Sequence, residues 1–326
     1  MDLELLRERA GIIRRIRRFF DSRHYLETDT PILSPDLIPE SCLEVFETRN
    51  LPPKGSRSKE KPYWLVPSPE IWMKRLIARH GVNLYQICKC FRNGESLGPN
   101  HNPEFTMLEY YTLDAGYRDS LKLTEELFSY LLSDSGGKET ERLSQRFIVM
   151  TVEEAFACWA GFDLYRAAAQ EGAMEEEASR LGLYPQPGLT VHQLYDLIFI
   201  NNIEGRLKME KPVVLIDYPA FIPCLAKKNP NGKTVERWEL YFRGIELANC
   251  YSEETDAEKV QEFFEREKAE KEKSAMVVHK VDDAYYKILT KTRALSGVAM
   301  GLDRLIMALC GKKTIDGILP FPMNWR

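Results

Sequence analysis

The chain has 326 residues, 44% of them hydrophobic and 29% charged, which supplies a substantial core and excludes a disordered chain. Its formal net charge of -4 leaves no basic surplus for gripping nucleic acid through phosphates. No apolar run reaches the ~20 residues that cross a bilayer, and the charged start Met1-Asp2-Leu3-Glu4 has no apolar signal-peptide centre.

In chain order, Leu5, Leu6, Ile12, Ile13, Ile16, Phe19 and Phe20 recur at helical spacing among arginines and predict an amphipathic helix over 4–20. Thr30-Pro31-Ile32-Leu33 reads as an extended segment, and the polar, breaker-rich stretch 51–62 as a loop. A strand is expected at 63–66, a helix at 70–79, and strands at 84–91, 105–113, 239–250 and 296–300. The middle, 119–205, reads as mostly helical, with a glycine-bearing loop at 135–137. The Glu- and Lys-rich stretch 255–273 reads as a solvated helix, and 301–310 as a helix following a strand. No repeat or linker stands out, so 1–326 is expected to be a single domain. Seven cysteines without a C-x-x-C pair suit reduced thiols and a cytoplasmic setting.

The phosphate-loop and dinucleotide glycine motifs and H-E-x-x-H are absent. The most informative stretch runs from Cys90 to Tyr111, two apolar, aromatic segments around a loop with Gly94, Gly98 and Pro99, which predicts a long-tipped hairpin. Arg92 enters the loop, while His101 and Phe105 leave it. A forked guanidinium suits a phosphate or carboxylate, and an aromatic suits a base. Taken singly, each has a plainer reading as a surface ion pair or a core ring. Glu239 and Glu246 stand seven apart, an odd offset that a strand places on opposite faces. A bend or bulge near Gly244 is therefore expected to bring them together. Paired carboxylates with triphosphate oxygens suit Mg²⁺, a hard ion that prefers oxygen; the plainer reading is two solvated side chains.

The pattern F-R-N-x-E…H-N-P-E-F-T-M-L-E-Y resembles motif 2 of class II aminoacyl-tRNA synthetases, in their lysyl branch. Ser296-Gly-Val-Ala-Met-Gly-Leu-Asp-Arg-Leu305 looks like motif 3, and the 4–20 helix with Thr30-Pro31 looks like the dimer-forming motif 1. Trp238 to Glu253 is similar to the lysyl-type stretch before motif 3. The resemblance spans nearly the whole chain. It implies an α+β class II catalytic fold, a mainly antiparallel sheet flanked by helices.

It also implies roles. Arg92 and Arg304 would be catalytic, Arg92 on the α-phosphate and the amino-acid carboxylate, Arg304 on the γ-phosphate. Asn93, Glu95, His101, Asn102, Phe105, Glu246, Leu247 and Gly301 would complete the ATP site. Ser68, Pro69, Glu70, Glu109, Tyr111, Asn249, Glu253 and Ala299 would hold the amino acid, and Glu239 and Glu246 the Mg²⁺. The charge logic stands apart from family: a dibasic substrate needs carboxylates in its pocket, and Glu70, Glu109 and Glu253 supply them. Against the family pattern, Gly94 lengthens the motif 2 loop by one residue, and Cys250 stands where glycine is usual.

Lysyl-tRNA synthetases carry an anticodon-binding barrel of about 100 residues, and no room for one is expected at either end here. The chain therefore resembles their truncated paralogues that attach (R)-β-lysine, or lysine, to a lysine ε-amine of elongation factor P. Ala299 replaces the synthetases' usual glycine, as in those paralogues. A homodimer, with no tRNA and no membrane, is the expectation. The rival readings are a related enzyme charging an RNA acceptor, a binding-only regulator, and an asparagine-forming amidating enzyme, for which three glutamates have the wrong sign.

Overall fold

The computed structural model describes residues 2–56, 58–94, 98–133, 138–143, 146–282 and 284–323. It opens with helix α1 (Leu3–Asp21), whose first turn is capped by the Asp2 carboxylate accepting from the Glu4 amide at 3.2 Å. Strands β1 (Leu26–Glu27), β2 (Leu33–Ser34), β3 (Glu47–Asn50) and β4 (Lys61–Leu65) follow. Helix α2 (Glu70–His80) ends where Gly81, at φ 62°, supplies the left-handed cap. Strands β5 (Leu84–Phe91) and β6 (Glu104–Leu113) come next. Then come α3 (Tyr117–Leu132), α4 (Lys138–Leu143), β7 (Ile148–Thr151), α5 (Val152–Ala155), α6 (Leu164–Ala169), α7 (Ala173–Arg180) and α8 (Val191–Ile198). The chain closes with β8 (Val213–Pro219), β9 (Thr234–Phe242), β10 (Ile245–Ser252), α9 (Ala257–Ser274), β11 (Leu295–Gly301) and α10 (Leu302–Leu309).

Contacts divide the chain into two compact units: residues 1–115 with 253–326, and residues 116–252. In the first unit, β5 pairs antiparallel with β6 and parallel with β1, and β6 pairs antiparallel with β11. The two-residue period sorts side chains onto two faces. Tyr85 and Tyr110 face the back, where Phe20 of α1 lies against both rings at 4.8 and 4.9 Å between centroids. The front face carries Phe105, Met107, Glu109 and Tyr111, with Gly297 opposite Tyr111 and Ala299 opposite Glu109. Beside it, β2, β4 and β3 make a small antiparallel sheet over Leu37, Val45, Trp64 and Val66.

Buried charge ties α1, α10 and β6 together. Asp303 is 1% exposed; one carboxylate oxygen pairs with Arg9 at 2.6 Å and the other accepts from the Thr106 amide at 2.6 Å. Arg9 also donates to the Thr106 hydroxyl at 3.0 Å. The 255–273 stretch, expected to be solvated, instead buries one stripe: Val260, Phe264, Glu267 and Lys271. Glu267 accepts from the Ser41 amide and hydroxyl at 3.0 and 2.7 Å, and Lys271 donates to the carbonyls of Glu40 and Leu43. Composition marked the helix as polar, but its two buried charges are matched by loop groups from more than two hundred residues away.

In the second unit, β9 pairs antiparallel with β8 and β10, and β7 pairs parallel with β8. Helices cover a core in which Phe156 and Phe199 flank the Tyr195 ring. The stretch read as one strand over 239–250 is two strands of a hairpin. Arg243 and Gly244, at φ 52° and 77°, form its two-residue turn, the left-handed pair that matches strand twist. Strand β7 also interrupts the region read as helical; the expected loop at 135–137 lies outside the described residues.

Replacing Asp303 with alanine leaves Arg9 and the Thr106 amide without their acceptor. Breaking such a buried pair is expected to cost about 3 kcal/mol, read as a lower denaturant midpoint; an unchanged midpoint would show that the contact is incidental.

Candidate active site

Five of the expected amino-acid residues meet on the front of the first unit. The Ser68 hydroxyl donates to Glu109 at 2.7 Å and accepts from the Glu70 amide at 3.0 Å, so one hydroxyl orients a carboxylate and the start of α2. Tyr111 donates to the other Glu109 oxygen at 2.6 Å. Glu253 is anchored by its amide to the Leu295 carbonyl at 2.9 Å. Its carboxylate accepts from Lys74 at 2.5 Å, and the same ammonium pairs with Glu70. Pro69 caps α2, and Ala299 lies beside Glu109 on β11.

Burial sets the electrostatics. Desolvation, then the neighbouring Glu70 charge, raises Glu109 to about 7 against the opposing pull of its Tyr111 and Ser68 hydrogen bonds and of Lys74. Desolvation raises Glu253 to about 8, with the Lys74 ammonium pulling it back and Glu70 and Glu109 adding to the rise. Glu40 is likewise raised to about 7 by desolvation, then by Glu70. The cluster is therefore built to gain from added positive charge.

Two residues of this cluster were given no role in the motif reading. Lys74 sits in the apolar stripe of α2, between Ile71 and Ile77; a lysine in such a stripe is the sign that could have flagged it. Gly297 is the other. A Cβ there would stand 2.4 Å from a Tyr111 ring carbon and 2.9 Å from a Glu253 oxygen. Only a residue without one lets both side chains lie against β11.

Among the expected nucleotide residues, the Arg92 guanidinium lies 5.4 Å from the Phe105 ring centroid. Arg304 donates to the Asn100 carbonyl at 3.2 Å and meets His101 Nε2 at 3.0 Å. Arginine can only donate, so Nε2 accepts and carries no proton in that contact. Asn93 donates to the Val45 carbonyl at 3.4 Å, and Asn102 accepts from the Met323 amide at 3.0 Å. Gly301 ends β11, where an added Cβ would make only ordinary contacts, 3.5 Å to Arg304. Glu95 lies outside the described residues.

In the second unit, the hairpin solves the odd spacing of the two carboxylates. Glu246 stands opposite Tyr241, two residues along β9 from Glu239 and on the same face. Glu239 is engaged: Arg237 and Tyr241 bond it, and Tyr218 donates to it at 2.6 Å. Arg237 also donates to Asn249 at 3.1 Å, across the strands from Glu239. Leu247 is buried. Among the described residues no group of three or more His, Cys, Asp or Glu is placed to hold a metal. The pair fits a hard cation as oxygen donors, provided that the nucleotide supplies further oxygens.

This α+β arrangement agrees with the comparisons. The chain belongs to the family described as tRNA synthetases class II (D, K and N), whose pattern matches residues 3–325. Among curated proteins it is similar to elongation factor P–(R)-β-lysine ligases. That of Avibacterium paragallinarum is 34% identical over 324 residues, covering 99% of this chain and 96% of the relative. That of Vibrio vulnificus is 34% identical over 329 residues (98% and 96%), and that of Haemophilus influenzae 32% over 325 (99% and 96%).

Gly297→Ala is expected to raise KM for the amino acid about tenfold or more, the equivalent of ~1.4 kcal/mol, with KM for ATP little changed; equal effects on both would remove Gly297 from the amino-acid site. The raised acids also set a pH dependence. Their folded values exceed the ordinary 4.5, so between about 5 and about 8 the folded chain holds more protons than the unfolded one. Stability without substrate should fall as pH rises through that window, measured as the melting temperature, and a diamino acid should offset the fall. Stability rising across the window would refute the assignment.

Proposed function

We propose that this chain uses ATP to activate (R)-β-lysine, or lysine, as an adenylate and transfers it to a lysine ε-amine of elongation factor P. The names of relatives that match it over nearly their whole length support this reading. The observation that carries it is the group of buried Glu109 and Glu253 with the half-buried Glu70, an acidic site suited to a substrate with two ammonium groups.

In the first step a carboxylate oxygen of the amino acid attacks the α-phosphorus of ATP, and the bond to pyrophosphate breaks. We assign the α-phosphate and the carboxylate to Arg92, adenine to Phe105, and the terminal phosphates to Arg304 with His101. Asn93, Glu95, Asn102, Glu246, Leu247 and Gly301 are assigned to the nucleotide, and Ser68, Pro69, Tyr111, Asn249 and Ala299 to the amino acid with the three glutamates. Catalysis on this scheme is positioning and charge stabilisation, with no protein nucleophile. Glu239 and Glu246 would hold Mg²⁺, which when bound offsets charge on the departing pyrophosphate. In the second step the neutral amine of the acceptor lysine attacks the carbonyl carbon. The bond to the phosphate oxygen breaks, and AMP and a proton leave.

We also propose a homodimer. Leu3, Leu6, Leu26, Ile32 and Leu33 are exposed on and after α1, apolar side chains that a second copy would cover. No helix among the described residues is long and apolar enough to cross a membrane. We place the protein in the cytoplasm, with elongation factor P and not tRNA as the acceptor.

The deciding measurement is the intact mass of elongation factor P after incubation with this protein, ATP, Mg²⁺ and either lysine isomer. The expected result is a gain of one lysine-type residue. No gain, with pyrophosphate exchange still running, would overturn the acceptor and bring an RNA acceptor forward.

A further inference from the structure

The amino-acid site contains one charged group with no role in the scheme above. Lys74 is 1% exposed, and its ammonium is bonded by Glu70 and Glu253. It also lies 5.8 Å from the centroid of the Tyr111 ring. A buried charge in an apolar helix stripe is costly, and here it takes up carboxylate capacity that a cationic substrate would otherwise use. Strength of binding alone does not account for it.

Charge counting does. Glu70, Glu109 and Glu253 carry three negative charges once all are ionised, the state that a bound dication favours, and Lys74 carries one positive charge, so that the occupied group sums to two negative charges. A diamino acid brings two ammonium groups, its carboxylate being assigned to Arg92. Among neighbouring groups, the Glu40 carboxyl lies in the field of Arg92, Lys271 and, more weakly, Lys74. The Tyr111 hydroxyl donates to Glu109, and the buried Tyr285 phenol lies in the field of Lys74, Glu70 and Glu253. Neither phenol adds charge. Gly297 holds the count in a small space, because its missing side chain lets Tyr111 and Glu253 close on β11.

We propose that Lys74 is a specificity-determining residue for the amino acid: its fixed ammonium cancels one of the three clustered carboxylates and leaves two negative charges for the two ammonium groups of the substrate. The proposal rests on the amino-acid site assigned above. Lys74 touches the carboxylates, not the reacting atoms, so its effect should appear in amino-acid KM and its pH profile.

The test is pyrophosphate exchange with lysine across pH, with KM for ATP read in the same assay. Lys74→Met is expected to raise lysine KM about tenfold or more at neutral pH, because carboxylates that lose their internal cation take up protons. The rise should shrink as pH increases and the carboxylates ionise again, while KM for ATP stays within about twofold. The double variant Lys74→Met/Glu253→Gln sums again to two negative charges, and its lysine KM should lie below that of either single variant. A purely structural lysine would raise both KM values without displacing the pH profile, and the double variant would be worse than Lys74→Met; that result overturns the proposal. Should Lys74→Met not fold, the double variant decides alone. Lysine KM below that of Glu253→Gln supports the count, and a higher value or a failure to fold refutes it. Failure of the unsubstituted chain to exchange pyrophosphate with any lysine isomer would instead count against the proposed function.

Discussion

Carboxylates removed from water are unfavourable unless an opposite charge or hydrogen-bond donors meet them, and the first unit is arranged around that requirement. Glu109 is met by two hydroxyls, from Ser68 before α2 and Tyr111 on its own strand. Glu70 and Glu253 are met by one ammonium. The compensation is partial: Glu109 and Glu253 remain raised to about 7 and about 8. A site left with more negative than positive groups is one that binds cations. The same imbalance that weakens the empty fold is what a diamino substrate would relieve.

Strand geometry delivers these groups. Successive residues of β6 face opposite sides, so Glu109 and Tyr111 share the front while Leu108 and Tyr110 pack backward. The back is sealed by Phe20 stacked on Tyr85, and by Arg9 and Asp303, which lock α1 and α10 to Thr106. With the back face fixed, the front-face side chains are placed by their own hydrogen bonds, Glu109 by Ser68 and Tyr111. Gly297 completes the arrangement by omission, since any side chain would occupy the space that Tyr111 and Glu253 fill.

The second unit treats its carboxylate differently. Glu239 is held by Arg237 and the hydroxyls of Tyr218 and Tyr241, and Arg237 extends the network to Asn249. Desolvation is the largest single influence on Arg237 and opposes its charge, but Glu239 together with Cys224, Tyr218 and Glu246 raises its pKa, so the guanidinium stays charged. This is a carboxylate held in place by donors, whereas those of the first unit are held short of full compensation.

Local chemistry was legible in the amino-acid order. The stripe from Leu5 to Phe20 made α1, the apolar runs at 84–91 and 105–113 made β5 and β6, and the residues around Arg92, His101 and Arg304 marked the family. These depend on neighbours three or four residues away, or on motifs contiguous in the chain. What spacing could not supply was partnership across distance. Lys74 meets Glu253 over a separation of 179 residues, and Glu267 meets Ser41 over 226. Neither pairing leaves a periodic trace, so a buried charged stripe on α9 read as solvent-facing. The hairpin at Arg243 and Gly244 was legible only as a bend near Gly244, because its φ values are set by strand pairing as much as by the glycine. Sequence alone thus determined which groups the chain carries and the local elements that hold them. Tertiary structure decided which buried charges balance, because burial and pairing are properties of side chains brought together from distant parts of the chain.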